Sequence, residues 1–174
     1  MRKPFLPLLG ILFTVFVAVT LAQPPAAHAP LMNTVAATRQ TAEEAALVAL
    51  VNNERKRSGL PPLAVDPLLV ETARAHSQEM CTKQYFSHQS PTRGLRSPLD
   101  RYLKCGGSYK NRAVIGENLY TCARVNVARS HTAFMRSPGH RANILSPEWN
   151  AIGIGIYHAP DGRFWVTQLF LLRQ

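Results

Sequence analysis

The chain has 174 residues, 46% of them hydrophobic and 17% charged, with a formal net charge of +10 at pH 7. That length suits one domain with a core of its own, not dependent on disulfides. The basic residues are dispersed from Arg55 to Arg173 without an aromatic-interleaved stripe, which argues against nucleic-acid recognition.

In chain order, Arg2 and Lys3 ahead of an apolar run from Phe5 to about Ala22 read as an export signal over residues 1–22. Small residues precede a cut at both Ala22 and Ala29; Pro30 disfavours the second, so cleavage after Ala22 is preferred. The run is near the roughly 18 apolar residues that can span a bilayer, so an uncleaved membrane anchor is the alternative. Either way the remainder is expected to be exported, periplasmic or secreted. Residues 23–40 are rich in Pro, Ala, Thr and Gln with Arg39 as the sole charge, and read as a flexible linker to a domain over 41–174. Beyond the signal, 18 basic residues face 10 acidic ones, a net of +8. This is either a solvated basic face or an attraction to anionic envelope or cell-surface partners.

Thr41 followed by Glu44 is a capping box, and Leu47, Leu50 and Val51 continue at helical spacing to Ser58-Gly59. Leu60-Pro61-Pro62-Leu63 is extended. Asp66-Pro67 opens a second helix whose stripe Leu69, Ala73, His76, Met80 faces the core or its edge. Lys83 to Arg112 is mostly loop, with a short helix after Ser97-Pro98. A strand from Ala113 to Tyr120 carries Glu117, a third helix spans Val125 to Met135, and Ser137-Pro138 starts another through Leu145. Ile152, Ile154 and Ile156 alternate with Gly153 and Gly155 in a strand that turns at Pro160-Asp161-Gly162 into a last strand, Phe164 to Leu172. The pattern predicts an α+β fold of helices on an antiparallel sheet, and glycines on one strand face predict close approach of a helix or another backbone.

Of three cysteines, Cys105 and Cys122 are the preferred disulfide, because both flank the turn-rich region around Gly116-Glu117-Asn118 while Cys81 ends a helix. No Cys-x-x-Cys spacing supports a metal site on thiols. No Gly-x-Ser-x-Gly elbow or phosphate-cradling glycine loop is present, so serine hydrolase and nucleotide readings fall away.

Asn52-Asn53-Glu54-Arg55, Gly59 to Leu63, Ala73 to Met80, Tyr85-Phe86-Ser87-His88, Gly116-Glu117-Asn118-Leu119, Met135 to Leu145, Gly153-Ile154-Gly155 and Thr167-Gln168-Leu169-Phe170 resemble the CAP superfamily in its compact bacterial form. That superfamily comprises cysteine-rich secretory proteins, antigen 5 and pathogenesis-related proteins. The resemblance runs from about Ala46 to Phe170. It implies an α-β-α sandwich with a small antiparallel sheet between helices, and a cleft of His and Glu side chains that in some relatives binds zinc or another divalent metal. The cleft residues fall on His88 and Glu117. A second family Glu falls on Ser137, three residues after Phe134, and a second family His falls on Trp165. Bacterial members carry His140 instead, and whether it fills the missing place is open at this point.

His88, Glu117 and His140 are therefore the candidate binding set and the candidate metal ligands, since imidazoles and a carboxylate suit zinc. Unmetallated, the same groups suit general acid and base work. Asn118, Ser137, Arg141, Gly153 and Gly155 are expected to be structural, with Arg141 pairing a buried carboxylate. Three functions follow: a non-catalytic domain binding a small ligand, metal or envelope partner; a metal-assisted, peptidase-like hydrolase; or a carrier of lipid or sterol. His76, His131 and His158 are read as core or surface histidines.

Overall fold

Thr41 opens the first helix by accepting a bond from Glu44 N, and the Glu44 carboxylate accepts one in return from Thr41 N at 2.8 Å. The computed structural model describes residues 39–110 and 112–173. The expected export signal, and the linker up to residue 38, lie outside the described residues. Within them the elements are α1 (Ala42–Arg57), β1 (Ala64–Val65), α2 (Pro67–Thr82), α3 (Pro98–Lys104), β2 (Ala113–Cys122), α4 (Val127–Arg136), α5 (Pro138–Ile144), β3 (Ala151–His158) and β4 (Phe164–Arg173).

The sheet has the order β1-β3-β4-β2. Its three long strands are antiparallel, as expected, but β1 runs parallel to β3, pairing Ala64 with Ala151 and Val65 with Ile152. The extended Pro61-Pro62 segment delivers the chain to that edge, where two residues suffice before Asp66 caps α2 through bonds to Leu68 N and Leu69 N.

Strand alternation then sorts side chains into two layers. On one face Leu69 and Ala73 of α2 and Tyr102 of α3 pack with Leu169 and Leu171 of β4. On the other, Leu47 and Val51 of α1, Phe134 of α4 and Ile144 of α5 pack with Ile152, Ile154, Val166 and Phe170. The fold is an α-β-α sandwich. Gly153 and Gly155 lie under α2, where an added Cβ would strike the backbone of Leu69 and Val70, or of Ala73 and Arg74. The close approach expected of these glycines is that of α2.

Two buried charges tie the layers together. Glu44 accepts bonds from Arg74 Nε at 2.8 Å and Nη2 at 2.5 Å and from Ile156 N at 3.2 Å, so one carboxylate joins α1, α2 and β3. Arg55 donates to the carbonyls of Pro61, Ile144 and Ser146, which closes the C-terminal end of α5 against α1.

The expected Cys105–Cys122 bridge is not formed, and all three cysteines are free thiols. Cys105 caps α3, which packs near the Ala113 and Ile115 end of β2 through Tyr102. Cys122 is the last residue of that ten-residue strand. A strand of that length spans about 30 Å, whereas a disulfide needs Cα atoms within about 7 Å. Nearness in sequence to Gly116-Glu117-Asn118 was a poor guide because the strand predicted there carries the two ends of the segment apart.

Gly155→Ala forces a methyl into the α2 backbone and is expected to lower the unfolding free energy by about 2 kcal/mol or more. Chemical denaturation measures this. A loss below about 0.5 kcal/mol would mean that α2 does not press on the sheet as described.

Candidate functional site

The site is built on β2. Alternation turns Glu117 toward α2 and α3, while its neighbour Asn118 turns toward α5. Glu117 is almost wholly enclosed, its side chain 2% exposed, and both carboxylate oxygens are taken. Oε1 lies 2.8 Å from His88 Nδ1, and Oε2 accepts from Arg101 Nη2 at 2.5 Å. Arg101 itself is buried, and its Nη1 donates to the carbonyls of His88, Leu95 and Arg96 at 3.1–3.2 Å. One guanidinium thus neutralises the buried carboxylate and holds the loop that carries His88.

His88 projects outward, its side chain 57% exposed. With Nδ1 on the carboxylate, the ring turns its other nitrogen away from Glu117. The bond to Glu117 raises the His88 pKa above the ordinary histidine value, more than burial lowers it. His140, in the first turn of α5, sits edge-on to Phe134 with ring centroids 5.4 Å apart. Burial, and then the charge of His88, hold its pKa below the ordinary value. The two imidazoles therefore feel each other. The His140 segment is anchored by its backbone: Asn118 Nδ2 donates to the His140 carbonyl and to Gln168 Oε1, both at 3.1 Å. Asn143 Nδ2 donates to Asn118 Oδ1 at 2.9 Å, and Trp149 Nε1 to the Asn143 carbonyl at 2.9 Å.

The structural residues divide. Asn118 ties β2 to α5 and β4. Ser137 stands at the N-cap of α5 without a side-chain cap bond, its carbonyl accepting from Arg141 N. Arg141 is solvent-exposed and does not pair a buried carboxylate. That part falls to Arg101, since α5 turns Arg141 outward while α3 sits over Glu117. Trp165, at the position of the second family His, is buried beneath the exposed Phe86 ring, 6.0 Å between centroids.

Sequence reasoning missed Arg101 and Glu79, and the polar contacts of His76, which lies in the core as its helical stripe predicts, and of Tyr85. His76 is fully buried, with Nε2 3.8 Å from Glu117 Oε2 and 3.2 Å from the Ser87 carbonyl. Burial lowers its pKa, against the pull of Glu117. Tyr85 OH lies 3.4 Å from His76 Nδ1 and donates to Glu79 Oε2 at 2.7 Å. Burial works against ionising Glu79, but Thr92, Tyr85, Ser90 and Lys83 prevail and bring its pKa down to about 2. Burial and Glu79 raise the Tyr85 phenol to about 12. A histidine on a fully buried helical stripe needs a polar partner, and that was the available signal.

As arranged, these donors do not fit a metal. A zinc site needs about three converging protein donors, and among the described residues no three His, Cys, Asp or Glu side chains are so placed. Each Glu117 oxygen already accepts a hydrogen bond, and the cation of Arg101 lies against it.

Comparison with known proteins gives the class. The model of the cysteine-rich secretory protein family, CAP, matches residues 48–170. The chain belongs to that family. Protein YkwD of Bacillus subtilis is 42% identical over 128 residues, covering 74% of this chain and 47% of YkwD. The membrane protein YlbC of the same organism is 29% identical, covering 77% of this chain and 36% of YlbC. The chain thus spans less than half the length of these relatives. Among solved structures, an extracellular protein containing an SCP domain from Bacillus anthracis aligns at TM-score 0.65 and 31% identity, over 76% of this chain and 40% of that one. An outer surface protein of Borrelia burgdorferi shares the fold at TM-score 0.66 and 20% identity, over 76% of this chain and 93% of that one.

His88→Ala removes a nearby positive charge and should raise the His140 pKa, and Glu117→Gln should lower that of His88. Imidazole titration by NMR reads both. An unmoved His140 in His88→Ala would mean that the two rings do not share a site.

Proposed function

We propose that this is an exported CAP-domain protein that binds an anionic ligand or envelope component at the rim formed by His88 and His140, without a resident metal. The observation that carries the reading is the exposed His88 imidazole held by Nδ1 on buried Glu117. A ring so fixed offers its outward nitrogen in one direction, and preorganisation of this kind reduces the ordering cost of binding. The net charge of +8 beyond the signal, 18 basic against 10 acidic residues, attracts anions over a longer range. Export is supported by Arg2, Lys3 and the apolar run to Ala22, and by likeness to the extracellular Bacillus anthracis protein. No described helix is long and apolar enough to cross a membrane.

The same pairing supports a second reading, proton transfer by His88. A carboxylate that fixes the imidazole tautomer leaves the other nitrogen to take a proton from water or substrate. The metal-assisted version of hydrolysis has less support, because both Glu117 oxygens are occupied. The lipid or sterol alternative finds no observation at this rim.

Poly(glycerol phosphate) serves as the anionic probe. Binding to the wild type should strengthen as pH falls through the raised His88 pKa, because the protonated ring is the form that attracts phosphate. His88→Ala should bind about tenfold more weakly, the size of one charge-assisted contact, and lose that pH response. Equal binding by the variant across the range would contradict the reading.

A further inference from the structure

The order β1-β3-β4-β2 leaves β2 at an edge of the sheet, with no strand beyond it among the described residues. Which of its main-chain groups face that edge follows from bonds further in. Asp66 N donates to the Ile152 carbonyl, so even-numbered residues of β3 point toward β1 and odd-numbered ones toward β4. Ala159 N donates to the Arg163 carbonyl and Asn150 N to that of Leu171, so odd-numbered residues of β4 point toward β3. Even-numbered residues of β4 therefore bond β2, through their register partners Gly116, Asn118 and Tyr120. The N–H and C=O groups of Glu117, Leu119 and Thr121 point the other way, off the sheet.

Burial follows the same alternation. Asn118 is wholly buried, whereas Glu117 is 8% exposed with a side chain only 2% exposed, so what water reaches there is main chain. Among the described residues, the bond made to this row is that of Asn143 Nδ2 to the Glu117 carbonyl, at 3.3 Å. The N–H groups of Glu117, Leu119 and Thr121 and the carbonyls of Leu119 and Thr121 have no partner among them. An unpaired edge is a template for another strand, and folded proteins blunt it with prolines, lysines or bulges. From Gly116 to Thr121 there is none of these, and the one charge, Glu117, is already buried and neutralised.

Side chains stand over both faces of this edge. On one are His88, fixed to Glu117, and Phe86, seated on Trp165, the register partner of Thr121. On the other, Phe134 lies against Tyr120 and His140 against Phe134. A second copy would bring the same elements over its own β2, and two such edges would collide before they paired. A single extended chain carries no such bulk. We infer that β2 takes an extended acidic peptide of a partner protein as a further strand, its main chain bonded to Leu119 and Thr121 and a carboxylate set against His88. Main-chain bonds supply affinity, and the two faces read alternate side chains of the peptide. The acidic residue rests on the reading of His88 as an anion contact, together with the net charge of +8, from 18 basic and 10 acidic residues; the strand pairing does not.

The probe is acetyl-Thr-Val-Thr-Glu-Thr-Val-Thr-amide, titrated into the isotope-labelled full chain by NMR. Saturable binding should carry the amide protons of Leu119 and Thr121 downfield and leave those of Asn118 and Tyr120, already bonded within the sheet, nearly still. Alternate peptide amides face β2, so of two N-methylated forms, one on the Val and Glu amides and one on the Thr amides, one should keep binding and the other lose it. Thr121→Pro removes an outward N–H that the sheet does not use, so its circular dichroism should be unchanged and its peptide affinity about tenfold lower or worse. His88→Ala should bind about tenfold more weakly with the same N-methyl pattern. Absence of saturable binding, equal behaviour of the two N-methylated forms, or wild-type affinity in folded Thr121→Pro would overturn the strand pairing. Wild-type affinity in His88→Ala with the pattern intact would strike out the acidic contact, and with it the anion reading of His88.

Discussion

A carboxylate buried in the middle of β2 organises the functional half of this molecule. Glu117 has almost no contact with water, so its charge must be met by the protein, and the group that meets it is the guanidinium of Arg101. Removing one partner of such a pair typically costs about 3–5 kcal/mol. The consequence is geometric as well as energetic. Because Arg101 also bonds three carbonyls of the His88 to Arg96 segment, compensating the carboxylate fixes a long loop that lacks regular structure. His88 is then presented at the surface on a base that cannot drift.

The opposite face of β2 performs the complementary task. Asn118, Asn143 and Gln168 form a buried amide network that grips the backbone of His140 and not its ring. One dipeptide, Glu117-Asn118, thereby anchors the α3 layer and the α5 layer, holding the His88 ring through Glu117 and the His140 backbone through Asn118. The bond to Glu117 raises the His88 pKa, while burial and then the charge of His88 lower that of His140.

Much of the scaffold was legible. The Thr41 and Glu44 capping box, the Asp66-Pro67 helix start and the alternating Ile and Gly residues of β3 are local signals, and the structure obeys each. The parallel pairing of Ala64 and Val65 was not, because two residues hold too little pattern to announce a strand. In the site, His88 and Glu117 were legible through their motifs. Arg101 was not, since a lone arginine in a seven-residue helix looks like any surface base until the fold turns it inward. The misplaced expectations for Arg141 and for the Cys105 and Cys122 pair have the same origin. Each depended on which distant elements meet, and sequence proximity does not encode that.

The central claim is that Glu117 serves as a hydrogen-bonding anchor for His88 and Arg101 and not as a metal ligand. Zinc titration of the full chain near neutral pH, followed through the His88 and His140 imidazole resonances by NMR and by calorimetry, tests it most directly. The account predicts no stoichiometric, tight binding and no concerted displacement of the two ring signals. Tight one-to-one binding that shifts both rings and is abolished by Glu117→Gln would contradict it.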